Sequence, residues 1–290
     1  MTNKSVLLRF GGLTFAVCGE LPDGWEREPI CRFVISEGAA DIRVTVARTD
    51  GLHPLTDAVL LRETETLRAY RRGETGLLLY RAMRAECGRD YALLTYPLDR
   101  PTELTLTICD RAIRFDTTVL FGSMMLETLL LHFGRGILHA SFISHAGQAI
   151  AFTAPCGTGK STQAELWRRY RGAEIINGDK TVLAELDGVE YACGLPLCGT
   201  SEICRNRNVP LRAVVLLRQG KENEIRRLRG AQAVKALLEQ LYLQPWNARA
   251  AELALELSAR VCCRVPVFLL RCLPDVSAVE CLENALQGEE

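Results

Sequence analysis

One stretch of the chain, residues 154–162 with the sequence APCGTGKST, constrains the fold more than any other. An apolar run at 149–152 precedes it, and a helical pattern at 163–167 follows it. A strand, a tight loop and a helix in this order are typical of a phosphate-binding loop, because backbone N–H groups at a helix N-terminus can solvate several negative charges at once. The alternative is a glycine-rich turn with an incidental lysine.

The residue types in this loop suit the binding of a nucleoside triphosphate. Gly157 and Gly159 provide φ freedom and let phosphate approach the backbone closely. Lys160 can reach the β- and γ-phosphates, and the Ser161 hydroxyl can ligate Mg²⁺. Ala154 stands where the full motif has its first glycine, but the GxGK[ST] half is complete. The predicted nucleotide-binding residues are Cys156, Gly157, Thr158, Gly159, Lys160, Ser161 and Thr162.

Composition limits the kinds of binding partner and the cellular compartment that we expect for this protein. The 290 residues include 35 basic and 35 acidic side chains, so no overall charge favours nucleic acid or a membrane surface. The 12 cysteines are scattered, without the short paired spacings of a structural zinc site. The apolar stretch at 13–18 lacks a signal-peptide cleavage site, and no apolar helix candidate has membrane-spanning length. We therefore expect a cytoplasmic protein with reduced thiols.

The chain divides into two parts by its hydrophobic pattern. Residues 5 to about 118 alternate with a period of two between glycine turns, which predicts an antiparallel, β-rich N-terminal region. A nearly all-apolar segment at 121–133 predicts one buried helix that ends at Gly134. We place the domains at 1–118 and 119–290. The predicted N-terminal strands are 5–10, 13–17, 31–35, 42–46, 76–80, 91–96 and 103–108.

Two hairpins surround the loop in the C-terminal half. Strands at 137–144 and 148–153 flank the turn 145–147, and the second strand runs into the loop. Asp187-Gly188 suits the type I′ turn of the other hairpin. His139 lies on the strand antiparallel to the one that feeds the loop, so it either approaches the nucleotide or is a core histidine.

A carboxylate follows the next apolar segment. The strand predicted at 174–177 ends in Gly178 and Asp179, and Asp179 is 19 residues beyond Lys160. Phosphoryl transfer needs an acidic side chain near Mg²⁺ as a ligand or a base. We predict that role for Asp179 over a role as a turn residue.

The remaining candidates lie in the polar segment 194–208. Its Arg205 and Arg207 either close over the γ-phosphate and stabilise developing charge or belong to a solvated surface loop. Beyond this segment the pattern predicts strands at 211–218, 224–228 and 265–270, and helices at 231–243, 248–261 and 275–286.

The order of these segments resembles the C-terminal domain of the HPr kinase/phosphorylase family, which shares a phosphate-loop fold with ATP-type phosphoenolpyruvate carboxykinases. The resemblance covers about residues 120–288. It is most specific at LHA of 138–140 and GTGKS of 157–161, and the later IINGDKTVL and VPVFLLRCLPD segments follow in the family's order. It implies an α/β chain in which a P-loop nucleotide-binding domain with a mixed sheet follows the β-rich region.

Family roles carry over to two positions outside the loop. In that family the loop binds ATP, a strand histidine assists catalysis, and an Asp-Asp pair provides a base and a Mg²⁺ ligand. His139 and Asp179 match, but Gly178 replaces the first aspartate, and the family's Arg-Gly-Leu-Gly signature is missing. The chain therefore resembles an uncharacterised relative more than a true HPr kinase. Some such relatives are associated with ribosomally made peptides that are phosphorylated during maturation.

The resemblance implies a Mg²⁺-dependent kinase that transfers the γ-phosphoryl group of ATP to a hydroxyl of a peptide, protein or small molecule. His139 and Asp179 would orient or deprotonate the acceptor, Arg205 and Arg207 would stabilise charge, and Ser161 and Asp179 would hold Mg²⁺. A non-catalytic ATP-binding regulator or scaffold and an ATPase switch stay open as alternatives. Family members often assemble through this domain, so a homo-oligomer is also open.

Overall fold

A computed structural model describes residues 5–27, 29–53, 55–82, 89–199, 201–244 and 247–288. The chain forms two compact units. One comprises residues 1–9 and 13–132, and the other comprises 10–12 and 133–290. The first unit is β-rich and the second is α/β with a mixed sheet, so the predicted fold class is confirmed. The predicted domain boundary between residues 118 and 119 stays a prediction.

The first unit contains one sheet, with strand order β3-β1-β2-β4-β9-β8-β7-β6-β5 over the described residues. Alternate residues of β4 are buried, as expected for a sheet with one face on the core. The strands are β1 (Ser5–Phe10), β2 (Leu13–Gly19), β3 (Val34–Ile35), β4 (Ile42–Thr49), β5 (Val59–Glu63), β6 (Leu67–Arg72), β7 (Thr75–Arg81), β8 (Asp90–Pro97) and β9 (Glu103–Cys109).

Three predictions for this unit are wrong in part. The sheet is mixed, because β4 pairs in parallel with both β2 and β9. The strand predicted at 31–35 is a 3₁₀ turn, Ile30–Phe33, followed by the two-residue β3. The strands β5 and β6 were not predicted, since β5 is exposed along its whole length and neither strand shows a clear alternation of buried and polar residues.

The apolar segment predicted as one helix contains a break. Two short helices, α1 (Thr117–Gly122) and α2 (Leu126–Leu131), are separated at Met125, whose φ of +44° lies in the left-handed region. Asp116 caps α1 by accepting hydrogen bonds from the Thr118 and Val119 N–H groups. The segment is buried as predicted, but its apolar residues pack in two short helices instead of a single one.

The second unit contains one mixed sheet and four described helices. Its strands are β10 (Gly136–His145), β11 (Gln148–Thr153), β12 (Glu174–Asn177), β13 (Lys180–Leu186), β14 (Val189–Cys193), β15 (Asn208–Gln219), β16 (Glu224–Leu228) and β17 (Val267–Cys272). Its helices are α3 (Lys160–Arg171), α4 (Gly230–Leu238), α5 (Ala248–Arg264) and α6 (Val276–Gln287).

Strand β11, which feeds the loop, has hydrogen-bonded neighbours on both sides. It pairs antiparallel with β10 and parallel with β15. Pairing continues from β10 through β13 and β14 and returns to β15, so these strands form a closed ring of pairings. Strand β12 pairs with the second half of β10. Strands β11 and β12 therefore lie on opposite sides of β10, and their ends are close to it.

Both predicted hairpins of this unit are confirmed. Ala146 and Gly147 turn the β10–β11 hairpin, and Asp187 and Gly188 turn the β13–β14 hairpin. All four residues have positive φ, between 49° and 82°, which is the geometry of type I′ turns.

Helices α3 and α6 pack with the sheet around a buried apolar core. Trp167 on α3 is 1% exposed, and its ring meets the ring of His145 edge-on at a centroid distance of 5.4 Å. Asp275 caps α6 as predicted, because its carboxylate accepts from the Ala278 N–H. Packing of α3 against the sheet fixes the helix whose first residue is Lys160.

Candidate functional site

The loop lies between the end of β11 at Thr153 and the start of α3 at Lys160, as predicted. Gly157 and Gly159 have φ of +76° and +118°, which residues with a side chain rarely adopt. A Cβ at either position would meet no atom within 4 Å. Backbone conformation, and not a lack of space, therefore requires glycine at both positions.

The Lys160 side chain is buried and bonds to the backbone of its own loop. Its Nζ donates to the carbonyl oxygens of Ala154 at 2.9 Å and Pro155 at 3.3 Å, and the residue is 8% exposed. Burial lowers the pKa of the Lys160 ammonium, and nearby Asp179 opposes that shift. Ala154 is 2% exposed and packs into the apolar core, which accounts for a methyl group where the motif has glycine.

The loop, β10 and the end of β12 bring three of the predicted residues into one cluster. His139 Nε2 lies 3.5 Å from Asp179 Oδ1. The Thr153 hydroxyl donates to the His139 carbonyl at 2.8 Å, which ties the last residue of β11 to the histidine. Burial and the positive charge of Lys160 lower the pKa of His139, while Asp179 opposes the shift. Together these effects favour the neutral imidazole at pH 7.

Asn177, to which no sequence motif points, positions Asp179. Its side-chain oxygen accepts from the backbone N–H groups of Asp179 and Lys180, both at 2.9 Å. Its Nδ2 donates to the carbonyl of Leu197 at 3.0 Å, and the side chain is fully buried. This is the local Asx pattern that asparagine forms at turns, placed here at a strand end.

Two further residues were missed. The Lys180 ammonium contacts the Asp179 carboxylate and lies 5.3 Å from the centre of the Tyr242 ring. The Tyr242 ring is also 5.7 Å from the His139 ring. Lys180 is next to Asp179 in sequence and could have been selected, whereas nothing in the local sequence identifies Tyr242.

Backbone pairing explains how Tyr242 reaches the cluster. The Tyr242 N–H donates to the Ile137 carbonyl at 2.8 Å, and the His139 N–H donates to the Gln240 carbonyl at 3.0 Å. Residues 240–242 therefore run along the first part of β10, far in sequence from the loop. Burial raises the pKa of the Tyr242 hydroxyl.

Packing of residues 201–205 over β12 explains Gly178. A Cβ at position 178 would overlap Ser201 Oγ. The Gly178 N–H donates to the Ile203 carbonyl at 3.2 Å, and the Arg205 N–H donates to the Ile176 carbonyl at 2.9 Å. The position where the resembled family has its first aspartate is thus closed to any side chain in this arrangement.

Arg205 and Arg207 are not part of the cluster. Arg205 Nη1 lies 3.0 Å from Glu174 Oε1, and Arg207 also contacts the Glu174 carboxylate. Glu174 begins β12, whereas Asp179 follows its end. The two guanidinium groups therefore lie together at the start of β12, whereas Asp179 lies just beyond its end.

The other loop residues face a cleft or solvent. Cys156 and Ser161 are exposed. A cleft of about 390 Å³ is lined by Gly157, Thr158, Gly159 and Thr162 of the loop and helix, and by residues at the ends of β15 and β17. The carboxyl ends of parallel strands are where ligands bind in open α/β sheets.

The described residues contain no group of three or more His, Cys, Asp or Glu side chains placed to hold a metal ion. Ser161 and Asp179 offer oxygen donors, the chemistry that Mg²⁺ prefers when water and phosphate complete its coordination.

None of the helices in the described part of the chain is long and apolar enough to span a membrane.

No family model matches the sequence, and no curated protein matches it. Among solved structures, the chain is similar to the Hpr(Ser) kinase/phosphatase from Coxiella burnetii, with 12% sequence identity and a TM-score of 0.31. The match covers 53% of this chain and 93% of that chain. A TM-score and an identity this low do not establish a family, so the resemblance to the HPr kinase/phosphorylase family stays a prediction.

Proposed function

We propose that the C-terminal unit binds ATP with Mg²⁺ and transfers the γ-phosphoryl group to a hydroxyl. The observation that supports the proposal is that Thr153, the last strand residue before the loop, hydrogen-bonds to His139, and His139 Nε2 lies 3.5 Å from Asp179 Oδ1. A phosphate-binding loop beside a neutral imidazole and a carboxylate contains the groups that phosphoryl transfer requires.

The loop would bind the phosphates. The backbone N–H groups of 157–159 and the N-terminus of α3 would face the phosphate oxygens. Lys160 would exchange its contacts with the Ala154 and Pro155 carbonyls for the β- and γ-phosphate oxygens. The cleft beside the loop would accommodate the nucleoside.

Ser161 and Asp179 would hold Mg²⁺ together with phosphate oxygens. Both side chains are oxygen donors, which suits this ion. When bound, Mg²⁺ neutralises charge on the β- and γ-phosphates. The roles of these two residues rest on donor chemistry and on the position of Asp179 beside His139.

In the transfer step, the acceptor oxygen forms a bond to the γ-phosphorus, the bond from that phosphorus to the bridging oxygen breaks, and ADP leaves. The hydroxyl proton passes to the His139–Asp179 pair, whose neutral imidazole can accept it. The acceptor class is a peptide, a protein or a small molecule, with peptide maturation as one setting. A charge-stabilising role for Arg205 or Arg207 would require their ion pairs with Glu174 to open.

Calorimetric titration tests the binding part of this proposal. We expect micromolar binding of ATP in the presence of Mg²⁺, and loss of binding in Lys160→Ala. Lys235→Ala is a matched control, because Lys235 is an exposed lysine on α4. Absence of ATP binding in the wild-type protein would overturn both the kinase and every alternative that uses ATP.

A second candidate, a non-catalytic ATP-binding regulator, is favoured by Gly178, because this position cannot supply the base found in the resembled family. An ATPase switch would instead release ADP without an acceptor. Asp179→Asn separates these functions. A kinase or ATPase should lose turnover by about 10²–10⁴-fold while retaining part of its ATP binding, whereas a regulator has no turnover to lose.

A further inference from the structure

Lys180 makes contacts that the proposed function does not use. Its ammonium contacts the Asp179 carboxylate and lies 5.3 Å from the centre of the Tyr242 ring. The side chain is 23% exposed. Burial alone would lower the pKa of Lys180, but the contacts with Asp179 and Tyr242 outweigh it and raise the pKa, so the ammonium stays charged at pH 7.

The charges of the cluster do not balance around Asp179. The Lys180 ammonium contacts the Asp179 carboxylate, and His139 Nε2 lies 3.5 Å from the same carboxylate. Lys160 of the loop, whose Nζ donates to the carbonyls of Ala154 and Pro155, supplies a second ammonium. Ser201 excludes a second carboxylate from position 178. The cluster thus has one more positive than negative charge, at the place where a triphosphate would end.

The Lys180–Asp179 pair would have to open for Asp179 to act as a Mg²⁺ ligand. Asp179 would be needed as an oxygen ligand when Mg²⁺ arrives with ATP, and its carboxylate is already engaged by Lys180 and His139. A lysine ammonium is a compact charge on a flexible four-carbon stem, so it can exchange one anionic partner for another without movement of the backbone. The backbone of Lys180 is held by Asn177 Oδ1 at 2.9 Å, which keeps the residue in place during that exchange.

We propose that Lys180 recognises the γ-phosphate: its ammonium is paired with Asp179 in the free protein and moves to the γ-phosphate oxygens when ATP binds, which releases Asp179 for Mg²⁺. In the free protein the same ammonium also lies over the Tyr242 ring. The inference rests on the proposed ATP binding and adds to it that the protein discriminates ATP from ADP through a residue outside the loop motif.

The test compares ATP and ADP affinity by calorimetry, with Mg²⁺, in wild type, Lys180→Met and Lys180→Arg. A charge-assisted hydrogen bond to the γ-phosphate predicts that Lys180→Met weakens ATP binding by about 10-fold or more and changes ADP binding less than about 2-fold. Lys180→Arg should restore most of the ATP affinity. Lys235→Met controls for the loss of a surface charge, and thermal unfolding checks that each variant is folded.

A purely structural role for Lys180 predicts a different result. Equal weakening of ATP and ADP in Lys180→Met, or no effect on either, would overturn the inference and leave the proposed function standing. Wild-type protein that binds neither nucleotide would instead overturn the proposed function, and the inference with it.

A second experiment tests the pairing of Lys180 with Asp179. With Mg²⁺ chelated, Asp179→Asn should bind ATP more tightly than wild type, because the substitution frees Lys180. The double variant Asp179→Asn/Lys180→Met should lose that gain. A gain that persists without Lys180 would show simple relief of repulsion between Asp179 and phosphate, and would contradict the exchange.

Discussion

At the scale of single residues, His139 is held neutral by its surroundings. Burial disfavours the imidazolium form, and the charge of Lys160 adds to this effect, while Asp179 acts against it. The folded protein therefore binds a proton at His139 less readily than the unfolded chain does. Between the lowered pKa in the folded state and about 6.5 in the unfolded state, the unfolded state holds more protons, and stability must rise with pH.

We expect the thermal unfolding temperature to fall as the pH is lowered from 7.5 to 5.5, and the fall to be smaller in His139→Asn, which has no imidazole to titrate. His53→Asn provides the control, because His53 is exposed. Calorimetry at a series of pH values measures the effect. An unchanged pH dependence in His139→Asn would contradict the partly buried, cation-flanked environment of this residue.

Asn177 shows why single-residue roles were only partly predictable. The loop residues and Asp179 follow from motif spacing, because strand, loop and helix are contiguous in the chain. The importance of Asn177 comes from the Leu197 carbonyl, which is 20 positions away and meets the side chain only in the folded protein. Tyr242 and Ser201 reach the cluster in the same way, through long-range packing that spacing does not encode.

At the scale of elements, β12 is covered by the segment 203–205. Backbone hydrogen bonds link Ile176 with Arg205 and Gly178 with Ile203. The sequence predicts a loop here that either closes over phosphate or is solvated, but part of the segment pairs along β12. The contact between Gly178 and Ser201 is a direct result of that pairing.

We expect Gly178→Ala to destabilise the protein by about 1–3 kcal/mol, because its Cβ would overlap Ser201 Oγ and force the segment to move. Ser201→Gly in the same chain should restore part of this loss. Urea unfolding of the two single variants and the double variant gives the coupling between the sites. A Gly178→Ala variant as stable as wild type, or effects of the two substitutions that simply add, would contradict the close approach of positions 178 and 201.

Elements with strong local patterns were predicted well, and those fixed by distant packing were not. The hairpin turns at Ala146-Gly147 and Asp187-Gly188 were confirmed. The apolar segment at 121–133 was predicted as one helix, because its composition does not show that Met125 takes a left-handed conformation. The parallel partners of β4 were missed for a related reason, since alternation reports burial and not strand direction.

At the scale of the whole molecule, the chain has two compact units, and the loop belongs to the one that contains residues 133–290. A ligand that binds the folded form stabilises the structure that contacts it. If each unit opens separately, the effect of nucleotide should be confined to the unit with the loop.

Hydrogen exchange with and without ATP and Mg²⁺ tests this division. We expect slower exchange at 154–162 and 176–180, and no change in β4 or β9. Lys160→Ala should abolish the protection. Equal protection of β4 and β9 would show that the two units open together, which would contradict the expected confinement.

The position of Trp167 gives the protein an intrinsic optical reporter. Trp167 lies two turns after Lys160 on α3, about 10 Å along the helix axis, and its buried ring is in edge contact with His145. Replacement of Trp25 and Trp246 by phenylalanine would leave one fluorophore, with the blue-shifted emission of a buried indole. A shift of α3 would then change emission intensity by altering contact with the imidazole, so movement at the start of the helix becomes measurable in real time.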